Sequence, residues 1–261
     1  SNGGYVVQVG NNSVLHRIRL LLLDRRNFIL KSASVGAGAL LLPSLLTGCS
    51  DSQTGKLGIA LVGLGKYSTE QLALALQQTQ HCYLAGVVSG SAEKRSKWSQ
   101  QYNLPDANIY SYDTFDQLRN NNSIDIVYIV LPNSLHREFV IRAAEAGKHV
   151  ICEKPMGLTS AECKEMIDAC KKHGVKLFMG YRLHFDRYHQ YLMSLRDRNE
   201  LRSISADLGY VIKSSSEWRM KKALAGGGAL MNLGVYCIQS ACYITGMQPT
   251  HVTAQTFTTK P

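Results

Sequence analysis

A strand that runs into two closely spaced glycines can bring bare backbone against a phosphate. Residues 58–66 of the 261-residue chain, Gly58-Ile-Ala-Leu-Val-Gly-Leu-Gly-Lys66, have that composition. Ile59 to Val62 form an unbroken apolar run, the pattern of a strand covered on both faces in a parallel sheet. Gly63 and Gly65 then supply a tight turn and the close approach that a pyrophosphate needs at the following helix N-terminus. The third position of the glycine fingerprint is Ser68. In such a unit the end of the second strand selects the nucleotide, because an acid there binds a ribose 2′-hydroxyl. Here the strand Leu84 to Val88 ends in Ser89, with Lys94 and Arg95 one helical turn on. A hydroxyl and two cations suit a 2′-phosphate and favour NADP over NAD, although Glu93 could instead reach a 2′-hydroxyl.

Positioning these residues takes a regular scaffold. A helix fits Thr69 to Gln78, with Leu72, Ala73 and Leu76 on one face. Tyr110, Tyr112 and Phe115 read as a loop and short helix. A strand follows at Ile124–Pro132, a strand and turn at His149–Pro155, and a strand at Val175–Met179. Helices lie between them from Arg137 to Ala146, closed by Gly147, and from a Ser160 cap to near Gly174. This βα alternation over 57–179 predicts a doubly wound parallel sheet, a Rossmann-type nucleotide-binding domain. Beyond Gly180 the rhythm changes. A helix over about Tyr188 to Asp197 and strands at Ser203–Tyr210 and Val252–Phe257, separated by long excursions, predict a second α+β domain with an open antiparallel sheet. With two strands in hand, 180–261 reads as an incomplete substrate and oligomerisation domain.

The formal charge of +10 is less informative than it looks. Arg17, Arg19, Arg25, Arg26 and Lys31, with Asp24, precede the folded part; removing them from 29 basic and 19 acidic residues leaves 24 against 18. That balance, without charge runs, suits an anionic cofactor and excludes a nucleic-acid face. The first methionine is Met156, and residues 1 to about 20 are set aside from fold reasoning. Asp24-Arg-Arg-Asn-Phe-Ile-Leu-Lys31 resembles a bacterial twin-arginine export signal. The apolar segment Ala33 to Leu46 is too short and too rich in Gly, Ser and Pro to span a bilayer. Leu46-Thr-Gly-Cys49 looks like a lipobox with Cys49 as the lipidated residue. Residues 1–49 therefore predict export to the periplasm, with the membrane reached only through a lipid. Six further cysteines, with no C-x-x-C pair and no zinc spacing, read as free thiols and not as a metal site.

Five motifs in one order, Gly63-Leu-Gly65, Leu131-Pro-Asn-Ser-Leu-His136, Glu153-Lys-Pro155, Gly180-Tyr-Arg182 and Gly226 to Tyr236, resemble the glucose–fructose oxidoreductase and inositol dehydrogenase family (Gfo/Idh/MocA). Val88-Ser-Gly, Ala92-Glu-Lys94 and Trp218-Arg219 are most similar to its glucose–fructose oxidoreductase branch. The resemblance covers residues 57 to about 257. It implies that Gly63, Gly65, Lys66 and Tyr67 line the pyrophosphate, and that Ser89, Lys94 and Arg95 hold the 2′-phosphate. Leu131, Pro132, Asn133 and His136 would sit against the nicotinamide ribose. Glu153 and Lys154 would stand beside the nicotinamide, with Lys154–Pro155 often cis in relatives, and Arg182, Trp218 and Arg219 would shape the cleft floor. It further implies a sugar substrate, a homo-oligomer, and a catalytic group of Lys154, Tyr236 and an aspartate four residues before that tyrosine. Here that position is Asn232.

Oxidising a sugar hydroxyl needs a base for the oxygen's proton while hydride leaves carbon. A phenol with an ordinary pKa near ~10 is a poor base at neutral pH, and an adjacent Lys154 ammonium is expected to lower Tyr236 toward the phenolate. The 232/236 spacing puts both side chains on one helix face. Asn232 keeps a hydrogen bond to sugar but cannot balance the lysine, so an active dehydrogenase with altered pH dependence is expected. Two other readings stand beside it: a nicotinamide-dependent glycosidase of the same superfamily, and a non-catalytic sugar- or cofactor-binding lipoprotein.

Overall fold

The structure is a computed structural model that describes residues 55–196, 201, 203–210, 212 and 216–255. The export signal and Cys49 lie outside the described residues. Six strands form one sheet in the order β3-β2-β1-β4-β5-β6, and every pairing is parallel. They are β1 (Leu57–Val62), β2 (Cys82–Val88), β3 (Ile109–Tyr110), β4 (Ile126–Ile129), β5 (His149–Cys152) and β6 (Leu177–Met179). Between them run α1 (Ala73–Gln78, entered through a π-helical turn Ser68–Leu72), α2 (Ala92–Tyr102), α3 (His136–Glu145) and α4 (Ser160–Lys172).

Strand periodicity explains the two-layered core. Alternate side chains of β1 leave by opposite faces. Ala60 and Val62 join Phe115, Phe139, Val140, Ala143 and Met166 on one side, while Ile59 and Leu61 join Leu64, Ala73, Val87 and Trp98 on the other. Both faces of β1 are thus covered, as its apolar run predicts. Short β3 falls in the stretch read as loop and short helix: only two residues pair with β2, too few to leave a sequence pattern.

Helix ends follow local chemistry. Thr159, and not Ser160, caps α4: its hydroxyl accepts from Glu162 N, while the Glu162 carboxylate accepts from Leu158 N at 2.8 Å. The Thr-x-x-Glu spacing sets this start, since the acid must fall at the third helical position. Gly147 and Gly174 take left-handed φ of +73° and +67° just past α3 and α4.

Beyond β6 come α5 (Arg187–Ser194), capped by Asp186, then α6 (Lys222–Ala225), a π-helical turn Leu230–Gly234 and α7 (Val235–Thr245). Among the described residues beyond β6 no strand pairing is formed. None of residues 203–210 or 252–255 pairs as a strand, and the end of the second expected strand lies outside the described residues. Alternation survives where pairing does not: Ile204 and Ala206 are half-buried between exposed Ser203, Ser205 and Asp207. A side-chain pattern creates a strand only when a neighbour takes up its backbone groups. Among the described residues no helix is long and apolar enough to cross a membrane.

Candidate active site

The candidate site residues gather at the carboxyl ends of the strands, where an open parallel sheet places its ligands. Gly63 leaves β1 with φ +92°. A Cβ there would lie 2.4 Å from Val130 O, so only glycine lets β1 and β4 end side by side. Ser68, at the third fingerprint position, is fully buried and donates from its hydroxyl to Gly63 O at 2.6 Å. It ties the turn shut where a glycine would only make room. Gly65 is exposed, and a Cβ there would meet nothing within 4 Å. The space a pyrophosphate needs therefore lies over Gly65. Lys66 beside it is exposed and pairs with Glu70 at 3.8 Å.

At the end of β2 the structure brings Ser89 and Arg95 together. The Arg95 guanidinium donates to Ser89 O, and the Ser89 hydroxyl accepts from Ser91 N. Ser91 caps α2 by accepting from Lys94 N, which leaves the Lys94 side chain in solvent at the helix start. A hydroxyl, a cation and a helix N-terminus thus share one corner, a combination that suits a phosphate.

His136 sits between two turns. It is fully buried, with Nδ1 2.8 Å from Pro155 O and Nε2 3.0 Å from Leu131 O. A neutral imidazole has one N–H, so one carbonyl accepts it and the other only faces the ring. His136 clamps the turn after β4 to the turn after β5, and burial pushes its pKa down. Asn133 likewise turns inward, donating to Ala225 O at 2.9 Å and tying the β4 turn to α6. Leu131 is buried beneath this turn and Pro132 is half-buried.

The candidate catalytic residues converge beyond β5. The Lys154–Pro155 bond is cis. Lys154 Nζ donates to Asn232 O at 2.6 Å, faces Asn232 Oδ1 at 3.5 Å, and lies 4.4 Å from the Tyr236 ring centroid. Lys154, Asn232 and Tyr236 therefore do meet, with Asn232 in the π-helical turn and Tyr236 on α7; turns of this kind recur at functional sites. The electrostatics differ from the sequence expectation. Lys154 lies over the face of the Tyr236 ring. Burial, then Glu153, raise the Tyr236 pKa, against Arg182, which is paired with the hydroxyl. Lys154 is the group brought toward neutrality. Burial first, with Arg219 and Arg182 adding repulsion against the attraction of Glu153, lowers it to about 8.

Glu153 accepts from the Tyr128 hydroxyl at 2.7 Å and is itself raised by burial. Gly180 makes room for it, since a Cβ there would sit 2.6 Å from Glu153 Oε1. Tyr67 joins this group; its pKa is raised by burial and by Glu153. Trp218 carries the Arg219 guanidinium 4.5 Å from its ring centroid, and Arg219 also pairs with Glu217. Tyr128 and Tyr210 escaped the sequence reading. A tyrosine within the aliphatic run of β4 is a usable signal, because a buried phenol needs a partner. Tyr210, 22 residues from the amide it contacts, carries none. Among the described residues no group of three or more His, Cys, Asp or Glu could hold a metal. The six described cysteines are free; Cys152 and Cys170 are buried, and burial raises both thiols.

Comparison with known proteins gives the family. Residues 57–181 match the model of the oxidoreductase family with an NAD-binding Rossmann fold (GFO_IDH_MocA), and residues 199–261 match the GFO/IDH/MocA C-terminal domain. The chain is 28% identical over 200 residues to an NADP(+) D-xylose 1-dehydrogenase of Haloarcula marismortui, covering 74% of this chain and 55% of that one. It is 30% identical over 178 residues to a trans-1,2-dihydrobenzene-1,2-diol dehydrogenase of Xenopus laevis, covering 67% and 52%. Among solved structures, an aldose-aldose oxidoreductase from Caulobacter crescentus, complexed with glycerol, aligns at a TM-score of 0.70 with 43% identity, covering 74% of this chain and 59% of that one. The chain spans about half the length of the curated relatives it matches.

Proposed function

The chain belongs to the Gfo/Idh/MocA oxidoreductase family, and on that basis we propose that it oxidises a sugar CH–OH, an aldose to its lactone, with NADP. The observation that carries this reading is the convergence of Lys154, Asn232 and Tyr236 at the mouth of a nucleotide-type sheet. The open space over Gly65 and the Ser89–Arg95 corner fit a dinucleotide with a 2′-phosphate. When bound, the nicotinamide supplies the hydride acceptor.

This chain's own residues handle the proton and the orientation. Tyr236, held protonated, donates to the sugar oxygen and fixes it. Lys154 accepts the hydroxyl proton as the neutral amine, which its pKa of about 8 makes available near neutrality. This reverses the expected division of labour, in which Tyr236 was the base. Glu153 and Arg182 set the local field, and Trp218 offers a ring face to the sugar's C–H surface. The named relatives, a D-xylose dehydrogenase and an aldose-aldose oxidoreductase, support an aldose; reduction of a ketose in a return step belongs to the same reading. Export by the twin-arginine route, a lipid on Cys49 and homo-oligomerisation complete the proposal, supported by Arg25-Arg26 and Leu46-Thr-Gly-Cys49 and by the family assignment.

The test is the near-ultraviolet absorbance of the protein with NADP(+) before and after addition of glucose or xylose. A rise reports reduced nicotinamide and supports the reading; silence with both sugars, nucleotide being bound, sinks it, and glycoside cleavage would then favour the glycosidase. In the same assay Arg95→Ala should raise the Kd for NADP about 10-fold, the loss of one charge-assisted phosphate contact, and leave NAD unchanged. Equal effects on both nucleotides would remove the 2′-phosphate from the Ser89 corner.

A further inference from the structure

The amide of Asn232 is held from two sides. Lys154 Nζ faces Oδ1 at 3.5 Å, and Nδ2 donates to the Tyr210 hydroxyl at 2.8 Å. These two contacts are not independent. An ammonium has donors only, so it must meet the amide oxygen, and the amide nitrogen is then left for Tyr210. The Tyr210 hydroxyl accepts that bond, which leaves its own proton free. Tyr210 is 55% exposed, so this proton is open to the medium from which a substrate arrives. A carboxylate at 232 would accept from both Lys154 and Tyr210, so the tyrosine proton would be taken up instead of left free.

We propose that Tyr210 is a positioning residue of this site: its hydroxyl holds the Asn232 amide with Oδ1 turned toward Lys154, so that a neutral side chain still supports the lysine. The inference rests on reading Lys154 and Asn232 as the reacting end of the site. It also gives Asn232 a defined task in place of a lost charge. The other groups facing Lys154 stay constant when Tyr210 changes: Glu153 favours its ammonium form, Arg182 and Arg219 oppose it, and the Tyr236 ring covers one side. Without the Tyr210 hydroxyl the amide is free to turn; the ammonium keeps Asn232 O at 2.6 Å but loses its second oxygen, Oδ1, and the neutral amine becomes more populated at a given pH.

The experiment reads Lys154 directly and needs no sugar. Acylation of Lys154 by acetic anhydride, followed by peptide mass spectrometry across pH, reports the fraction of free amine. Tyr210→Phe should speed labelling at neutral pH about threefold, the effect of roughly half a pKa unit. In an Asn232→Ala background the same substitution should change nothing, because the hydroxyl then has no amide to hold. No change in the wild-type background, or an equal change in both, overturns the proposal. Absent sugar turnover with the labelling pattern intact would count against the sugar reading alone and leave Tyr210 in its role.

Discussion

Lys154→Met is expected to lower kcat for sugar oxidation about a thousandfold, within the usual worth of a positioned base, while the protein still binds nucleotide. Methionine keeps most of the stem that crosses the Tyr236 ring and removes only the nitrogen. Wild-type activity should rise with pH and level off above about 8, where Lys154 has given up its proton. The variant's residual activity should lose that inflection. Stability carries a second signature with a definite sign. The folded pKa lies below the ordinary 10.5, so between about 8 and 10.5 the unfolded chain holds a proton that the folded protein has lost. Stability therefore rises with pH through that window. The wild type should gain on Lys154→Met from about pH 8 upward, in thermal melts at matched salt. An inflection that persists in the methionine variant would assign it elsewhere, Tyr236 being the next group to test.

Much of this site could be read from the sequence because its parts are local. Glycine pairs, strand-end serines and a lysine before proline each occupy a few consecutive residues, and a parallel sheet sends them to one edge without further instruction. What escaped depends on contacts between distant segments. His136 is a ligand-facing candidate by its motif, yet two carbonyls from different turns close around it. Lys154 and Tyr236 are neighbours by motif, but sequence spacing cannot say whether an ammonium sits over a ring or beside its hydroxyl. That choice decides which of the two is the base. The strand expected at 203–210 shows the same limit at the level of the fold: alternation is written in one segment, pairing in two.

Gly63→Ala and Gly65→Ala should separate folding from binding across two residues. At Gly63 an alanine takes on a left-handed φ of +92° and drives its Cβ to 2.4 Å from Val130 O and 2.8 Å from Leu131 Cδ2. The turn has no freedom to yield. Gly63 N donates to Val88 O at 2.9 Å, Val130 N donates to Val62 O at 2.8 Å, and Ser68 holds Gly63 O. Backbone strain and overlap together should cost about 3 kcal/mol or more, a large part of an ordinary domain's stability, and urea unfolding should show it. At Gly65 a Cβ meets nothing, and no positive φ forbids alanine. Gly65→Ala should therefore unfold within about 0.5 kcal/mol of the wild type. Its methyl group, however, occupies the space over which the pyrophosphate must approach, so the Kd for NADP should rise about tenfold or more, equivalent to roughly 1.4 kcal/mol. The pair works as a control on itself. A Gly65→Ala protein that is stable and binds nucleotide as the wild type does would move the cradle away from this turn, and a Gly63→Ala protein of unchanged stability would show that β1 and β4 do not end as tightly as Val130 O requires.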